Sequence, residues 1–121
     1  MARILVAEDD PSIRKLVRFS CEKLGHEVSE VVDAPGAIQS YEHQRPDLVI
    51  LDMKMPGGGG EAVLKVLRAG STACPVLVIT GALEGSAARA KAQSQVDQVL
   101  SKPFRISDVV AAVEKLLKPK A

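Results

Sequence analysis

Short apolar runs recur along the chain, separated by polar stretches that contain glycine or proline. The runs cover positions 4–7, 28–32, 48–51, 76–79 and 99–100. Most of them are continuous rather than alternating and are rich in Val and Ile, which is typical of strands buried on both faces of a parallel sheet. The pattern therefore predicts five buried β-strands.

Helical patterns follow these runs. Asp10 and Pro11 predict an N-cap and a first-turn proline, and the apolar stripe behind them ends at Gly25. Ser107 predicts the cap of a last helix, which Pro119 prevents from continuing. Between these two helices the spacing predicts three more, over positions 34–42, 61–69 and 83–93.

The regular alternation of strand and helix predicts an α/β fold with helices on both faces of one sheet. For five such strands the common arrangement is a flavodoxin-like, doubly wound parallel sheet of strand order 2-1-3-4-5, here with five helices. At 121 residues the chain is expected to form one domain over positions 1–121. In such a sheet, ligands bind beyond the carboxyl ends of the strands.

Composition narrows the range of functions. The chain carries 16 basic and 15 acidic residues, a net charge of +1, so we expect no direct binding to nucleic acid. No apolar run approaches the roughly 20 residues of a membrane span, and no secretory signal is visible, so we expect no membrane insertion. Cys21 and Cys74 belong to no ligand-spaced cluster and are expected to be reduced thiols of a cytoplasmic protein.

Polar side chains follow four of the predicted strands. Glu8 and Asp9 follow the first strand, Asp52 the third, Thr80 the fourth and Lys102 the fifth. Because the carboxyl ends of parallel strands share one edge, we expect these side chains to meet there. Clustered carboxylates and oxygen-only ligands favour a hard cation such as Mg²⁺. The acidic first loop would, by contrast, repel the bare phosphate of a flavin nucleotide.

Each of these residues also has a plainer explanation. Taken singly, Glu8 and Asp9 are ordinary solvated loop acids, Asp52 is a turn cap and Lys102 is a surface lysine. Asp10 is expected to be a helix cap rather than a ligand, since Pro11 follows it. Only the coincidence of the acids, the hydroxyl and the lysine at one edge favours a functional site.

Four segments together resemble the receiver domain of bacterial two-component response regulators, over essentially the whole chain. They read ILVAEDDP at 4–11, LVILDMKMP at 48–56, VLVIT at 76–80 and LSKPF at 100–104. Each segment alone is weak evidence for the family, but all four occur in order, each at the end of a predicted strand. Among receiver domains, the resemblance is to single-domain regulators of the chemotaxis type.

The resemblance implies phosphoryl chemistry at Asp52. This residue matches the phosphoacceptor, Lys102 matches the lysine that pairs with phosphoryl oxygens, and Thr80 matches the switch hydroxyl. The resemblance also implies a cis peptide bond between Lys102 and Pro103. The phosphoryl group would come from phosphohistidine and would form an acyl phosphate on the aspartate.

The resemblance likewise implies a Mg²⁺ site and a set of partners. Asp9, Asp52 and the backbone carbonyl of Lys54 would hold the metal, with Glu8 in its outer shell. The implied partners are a sensor histidine kinase or histidine phosphotransfer protein and a downstream protein target. The implied function is a phosphorylation-dependent conformational switch in the cytoplasm, rather than enzymatic turnover.

Departures from the receiver pattern leave the readout of the signal open. Val99 stands where the family often has an aromatic residue, and a run of glycines at 57–60 predicts a flexible loop. Two rival functions also stay open. An aspartyl-phosphate hydrolase of the haloacid-dehalogenase type needs a second Asp where Lys54 stands, and an interaction module without phosphorylation has no need to retain Asp52 and Lys102.

Overall fold

A computed structural model describes residues 1–70, 74–81 and 96–118 of the chain. These residues form, in order, β1 (Arg3–Ala7), α1 (Pro11–Lys23), β2 (Glu27–Val31), α2 (Ala34–Gln44), β3 (Leu48–Asp52), α3 (Gly59–Ala69), β4 (Val76–Thr80), β5 (Gln98–Ser101) and α4 (Ile106–Leu117). The helix predicted over 83–93 lies outside the described residues, so α4 corresponds to the last of the predicted helices. No helix in the described ranges is long and apolar enough to cross a membrane.

The five strands form one parallel sheet of order β2-β1-β3-β4-β5, which confirms the predicted topology. In the register of the sheet, Asp52 at the end of β3 lies beside Ile79, and Thr80 at the end of β4 lies beside Ser101. The carboxyl ends of β3, β4 and β5 are therefore level with one another. This alignment places the residues that follow these strands at a common edge.

The core consists of two layers, one on each face of the sheet. On the face covered by α1 and α4, the sheet contributes Ile4, Val6, Leu48, Ile50, Leu77 and Ile79. On the face covered by α2 and α3, it contributes Leu5, Ala7, Val49, Leu51, Val76 and Val78. Successive residues of the central strands thus pack on opposite faces, which explains why those strands read as continuous apolar runs.

The ends of the first and last helices test the predicted caps. Asp10 caps α1 as predicted, since its Oδ1 accepts the backbone N–H groups of Ser12 at 2.8 Å and Ile13 at 3.3 Å. The predicted cap at Ser107 is wrong: Arg105 is the N-cap of α4, and its N–H donates to Asp108 Oδ2 at 2.8 Å. The Asp108 carboxylate, which lies in the first turn of α4, therefore accepts the backbone N–H of the N-cap residue.

Both cysteines are free thiols in the structure. Burial raises the pKa of Cys21 to about 12 and that of Cys74 to about 11. A thiol with a raised pKa carries little thiolate near neutral pH, and the thiolate is the reactive form. Both cysteines therefore pack against the core as unreactive thiols, in line with the expectation of reduced thiols.

The turn between β3 and α3 packs against the start of α2. The Ala34 N–H donates to the Pro56 carbonyl oxygen at 3.0 Å. Gly57 adopts a left-handed φ of 83°, and a Cβ atom added there would lie 2.5 Å from Pro35 Cδ. The glycine run predicted as a flexible loop is therefore a packed turn at its start, and its last two residues begin α3.

Replacement of Gly57 by Ala is expected to destabilise the protein more than replacement of Gly25. Both glycines have similar positive φ angles, 83° and 85°, and only Gly57 has a close neighbour. Both substitutions carry the roughly 1–2 kcal/mol penalty of a left-handed non-glycine residue. At Gly57 the added methyl group also meets the Pro35 ring, and overpacking costs about 1–3 kcal/mol more. Urea denaturation measures the difference, and equal losses in the two variants would contradict the tight contact.

Candidate functional site

The carboxyl edge of the sheet brings together the polar residues that follow the strands. Asp52 and Thr80 are the last residues of β3 and β4, while Glu8 directly follows β1 and Lys102 directly follows β5. The Lys102 N–H donates to the Thr80 carbonyl oxygen at 2.7 Å, which ties the ends of β5 and β4 together. Four strands of the sheet therefore contribute side chains to one site.

Glu8 is fully buried in this site. Its Oε2 accepts the Asp10 N–H at 3.1 Å, and its Oε1 lies 3.0 Å from Lys102 Nζ. The second contact is an ion pair without the alignment of a hydrogen bond, and Oε1 has no hydrogen-bond partner in the described part of the chain. A buried carboxylate oxygen in this condition is suited to a further electropositive partner.

Asp52 lies beside Glu8 and is only 3% exposed. Its Oδ1 accepts the Lys54 N–H at 3.2 Å, and its Oδ2 lies 3.7 Å from Lys102 Nζ. One ammonium group therefore serves two buried carboxylates, and the negative charge of the pair exceeds the positive charge beside it.

Burial and the charges gathered at this edge shift the pKa values of Glu8 and Lys102. Burial and the adjacent Asp52 carboxyl group raise the pKa of Glu8 from 4.5 to about 7, against the lowering effects of the Asp10 N–H and Lys102. Burial by itself lowers the pKa of Lys102, but its contact with Glu8 and the charges of Glu8 and Asp52 outweigh burial and raise it. Lys102 therefore stays charged near neutral pH, while the Glu8 carboxyl group tends to retain a proton.

Glu8, Asp9 and Asp52 form a cluster that fits a hard cation. Each presents a carboxylate oxygen, and the three oxygens lie within 4.8 Å of one another. Opposite ligands of an octahedral Mg²⁺ ion lie roughly 4 Å apart, because each Mg–O bond is about 2.1 Å long. The three oxygens therefore lie close to the span of one ion, and water would complete its shell. A donor set made only of oxygen also suits Mg²⁺.

The remaining residues singled out in the sequence lie at or near this edge. Lys54 contacts Asp52 through its backbone, whereas its side chain is exposed. The peptide bond between Lys102 and Pro103 is cis. Val99 on β5 is half-buried and packs against the core layer on the side of α2 and α3.

One residue of the site has no signal in the sequence. The Arg14 side chain reaches from α1 to the loop after β1, where its Nη1 donates to the Glu8 carbonyl oxygen at 3.0 Å. An arginine on an exposed helix face is ordinarily a solvated charge. Its contact with the loop depends on where the loop carbonyl points, and the residue pattern does not contain that information.

Comparisons with known proteins agree with this geometry. The family model for the response regulator receiver domain matches residues 4–114. The chain is 33% identical over 116 residues to the DNA-binding response regulator MtrA of Mycolicibacterium smegmatis, covering 96% of this chain and 50% of that protein. It is 35% identical over 118 residues to the transcription factor SKN7 of Candida albicans, covering 97% of this chain and 21% of that protein.

The fold is also similar to solved receiver structures. The chemotaxis response regulator CheY4 of Vibrio cholerae has a TM-score of 0.87 at 26% sequence identity, and the match covers 97% of this chain and 99% of that chain.

The chain belongs to the response regulator receiver domain family of two-component signalling. This confirms the resemblance noted in the sequence and removes the haloacid-dehalogenase type of hydrolase as a rival, because receiver domains are signalling modules. The chain spans half or less of the length of the MtrA and SKN7 proteins. The DNA binding in the name of MtrA describes that protein as a whole.

In the presence of EDTA, the free energy of unfolding is expected to fall as the pH rises from about 4.5 through about 7. The folded state holds the Glu8 proton more tightly than the unfolded state, since the pKa of Glu8 is raised from 4.5 to about 7. The stability that this proton contributes is therefore complete below pH 4.5 and is lost as the pH passes the folded-state value. Glu8→Gln should flatten this dependence. Urea denaturation at several pH values tests it, and an unchanged slope in the variant would assign the effect to other groups.

Proposed function

We propose that the chain is one receiver domain over residues 1–121 and that Asp52 is its phosphoacceptor. The observation that carries the proposal is a carboxylate buried at the end of β3, 3.7 Å from a lysine ammonium group and beside two further carboxylates. A carboxylate oxygen of Asp52 attacks the phosphorus of a phosphohistidine in line. The P–O bond forms as the P–N bond breaks, the imidazole leaves, and an acyl phosphate results.

Lys102 and Thr80 contact the oxygen atoms of the transferred phosphoryl group and stabilise its negative charge. The Lys102 ammonium already lies within ion-pair distance of Glu8 and Asp52, so a phosphoryl oxygen on Asp52 comes within its reach. The Thr80 hydroxyl, at the end of the neighbouring strand, donates to another phosphoryl oxygen. A phosphoryl group adds roughly two negative charges to a site that already holds too few cations. The resulting redistribution of contacts is the conformational signal.

We assign the metal site to the same cluster. Asp9, Asp52 and the Lys54 carbonyl are the proposed Mg²⁺ ligands, and Glu8 lies in the outer shell. When bound, Mg²⁺ supplies the positive charge that makes phosphoryl transfer to a carboxylate feasible. The chain itself orients the acceptor, because the Lys54 N–H holds Asp52 Oδ1 and the position of the carboxylate at the strand end restricts its direction.

The proposed partners follow from this reaction. The phosphoryl donor is a sensor histidine kinase or a histidine phosphotransfer protein, and the receiver of the signal is a downstream protein. With a net charge of +1, the domain has no charge excess that favours direct contact with nucleic acid. We propose that the domain is located in the cytoplasm, because the partners that the receiver family implies are cytoplasmic. Turnover of a separate substrate is not part of the proposal.

Asp52→Asn is expected to abolish phosphoryl uptake and leave the protein folded. The substitution keeps the shape of the side chain but removes the nucleophilic oxygen. The matched control is Asp10→Asn, because Asp10 is an exposed acid near the site that caps α1 and asparagine caps helices equally well. Mass spectrometry after incubation with acetyl phosphate and Mg²⁺ measures the adduct. Undiminished labelling of the Asp52 variant would contradict the assignment.

Millimolar Mg²⁺ is expected to raise the melting temperature of the protein, and Asp9→Ala is expected to abolish that rise. A ligand that binds only the folded state at ten times its Kd stabilises the protein by about 1.4 kcal/mol. Asp10→Asn serves again as the control. The Asp10 carboxylate caps α1, so its replacement should leave the effect of Mg²⁺ on the melting temperature intact. An equal rise in the Asp9 variant would exclude Asp9 as a ligand.

A further inference from the structure

Arg14 holds the acidic loop that follows β1 by three consecutive carbonyl oxygens. Its backbone N–H donates to the Asp10 carbonyl oxygen at 2.9 Å, as the first bond of the helix. Its side-chain Nη1 donates to the Glu8 carbonyl oxygen at 3.0 Å and approaches the Asp9 carbonyl oxygen at 3.5 Å. One residue of α1 therefore contacts the whole backbone of the loop that carries the two acidic side chains of the site.

The Arg14 guanidinium is itself held in place from β2. Its Nε donates to Glu30 Oε1 at 3.1 Å, and its side chain is only 21% exposed. The neighbouring residue of β2 contributes as well, because the Val31 carbonyl oxygen accepts the Glu8 N–H at 3.2 Å. The loop is thus fixed between α1 and the edge strand. The planar fork of arginine allows contact with Glu30 and with a carbonyl at once, which a lysine ammonium on a flexible stem does less well.

We infer that Arg14 is a positioning residue for Mg²⁺ binding, acting through the backbone of the loop at Glu8 and Asp9. The inference rests on the proposed function in one respect, namely that this acidic cluster binds a divalent cation. Asp9 is exposed, so little packing around its side chain restricts its carboxylate. The direction of that carboxylate therefore depends on the backbone that Arg14 holds. Residues that orient metal ligands commonly change metal affinity by about 10–100-fold when they are replaced.

Removal of the Arg14 charge and loss of its positioning contact are expected to change the Mg²⁺ affinity in opposite directions, so an Arg14 variant distinguishes them. Removal of a cation near an acidic cluster increases the negative potential there and, by charge alone, strengthens the binding of Mg²⁺. Loss of the contact between Arg14 and the loop weakens it. A weaker affinity in a variant that lacks the arginine charge is therefore not explained by charge.

The chain provides a matched control one helical turn away. Arg18 pairs with the same Glu30 and also with Glu22, and neither contact involves the loop. We expect Arg14→Gln to weaken Mg²⁺ binding about tenfold and Arg18→Gln to leave it equal or slightly tighter. The affinity is measured by NMR titration of the backbone amides with Mg²⁺ alone.

A second measurement needs no metal. In EDTA, amide hydrogen exchange at Asp10, whose N–H donates to Glu8 Oε2, should be faster in Arg14→Gln than in the wild type or in Arg18→Gln. Arg14→Lys covers the case in which the Gln variant does not fold, because it keeps the charge and the stem but loses the fork. Its Mg²⁺ affinity and its Asp10 protection should fall between those of the wild type and the Gln variant.

The outcomes separate the inference from the proposed function. Equal Mg²⁺ affinities in Arg14→Gln and Arg18→Gln, or wild-type values in Arg14→Lys for both readouts, would overturn the positioning role. Wild-type protein that binds Mg²⁺ but takes up no phosphoryl group would contradict the proposed function and leave the role of Arg14 standing. Wild-type protein that binds no Mg²⁺ would overturn the metal part of the inference, whatever the exchange of Asp10 shows.

Discussion

The candidate functional site is built on two buried carboxylates that share one ammonium group. Burial of a charged side chain is costly unless an opposite charge or hydrogen bonds compensate it. Lys102 lies 3.0 Å from Glu8 Oε1 and 3.7 Å from Asp52 Oδ2, so it compensates both acids in part and neither in full. Burial, together with the neighbouring Asp52 carboxyl group, raises the pKa of Glu8. A site in this condition gains from a second cation, which is the electrostatic basis of the proposed metal site.

The sheet can hold such a site because its central strands β3 and β4 are apolar almost to their ends. Every residue of β3 and β4 is buried, including Asp52 and Thr80 at their carboxyl ends. Parallel register aligns those ends, so the polar groups meet where the apolar layers stop. The helices that cover both faces leave this edge as the place where backbone and side-chain polar groups are open to a ligand.

Contacts to backbone groups help to hold the loops around the site. Asp10 caps α1, Arg14 binds the carbonyl groups before it, and Lys102 donates its N–H to the Thr80 carbonyl. On the far side, the Gly60 N–H donates to the Met53 carbonyl at 3.1 Å and brings α3 close to the end of β3. Fixed backbone is a sound basis for a site that must keep its ligands in place while the charge at its centre changes.

The amino-acid sequence alone predicted the strands, their parallel arrangement, the edge at which the site lies and the cap of α1 by Asp10. These features depend on local pattern: continuous Val and Ile runs, an Asp followed by Pro, and polar residues directly after each run. It did not determine the start of α4, because Asp108 within the helix satisfies the first turn and Ser107 is not needed as a cap. Nor did it reveal the close contact of Gly57 with Pro35.

Which of the two acids is buried and which is exposed depends on the tertiary structure. Glu8 and Asp9 are neighbours in the chain, yet one is fully buried and the other exposed, because the end of β1 turns one side chain toward Lys102 and the other toward solvent. The contact of the Arg14 side chain with the Glu8 carbonyl oxygen also depends on the tertiary structure. Burial and contact with a backbone carbonyl depend on which distant segments come together in the fold. The pattern of residue types along one segment does not specify these tertiary contacts.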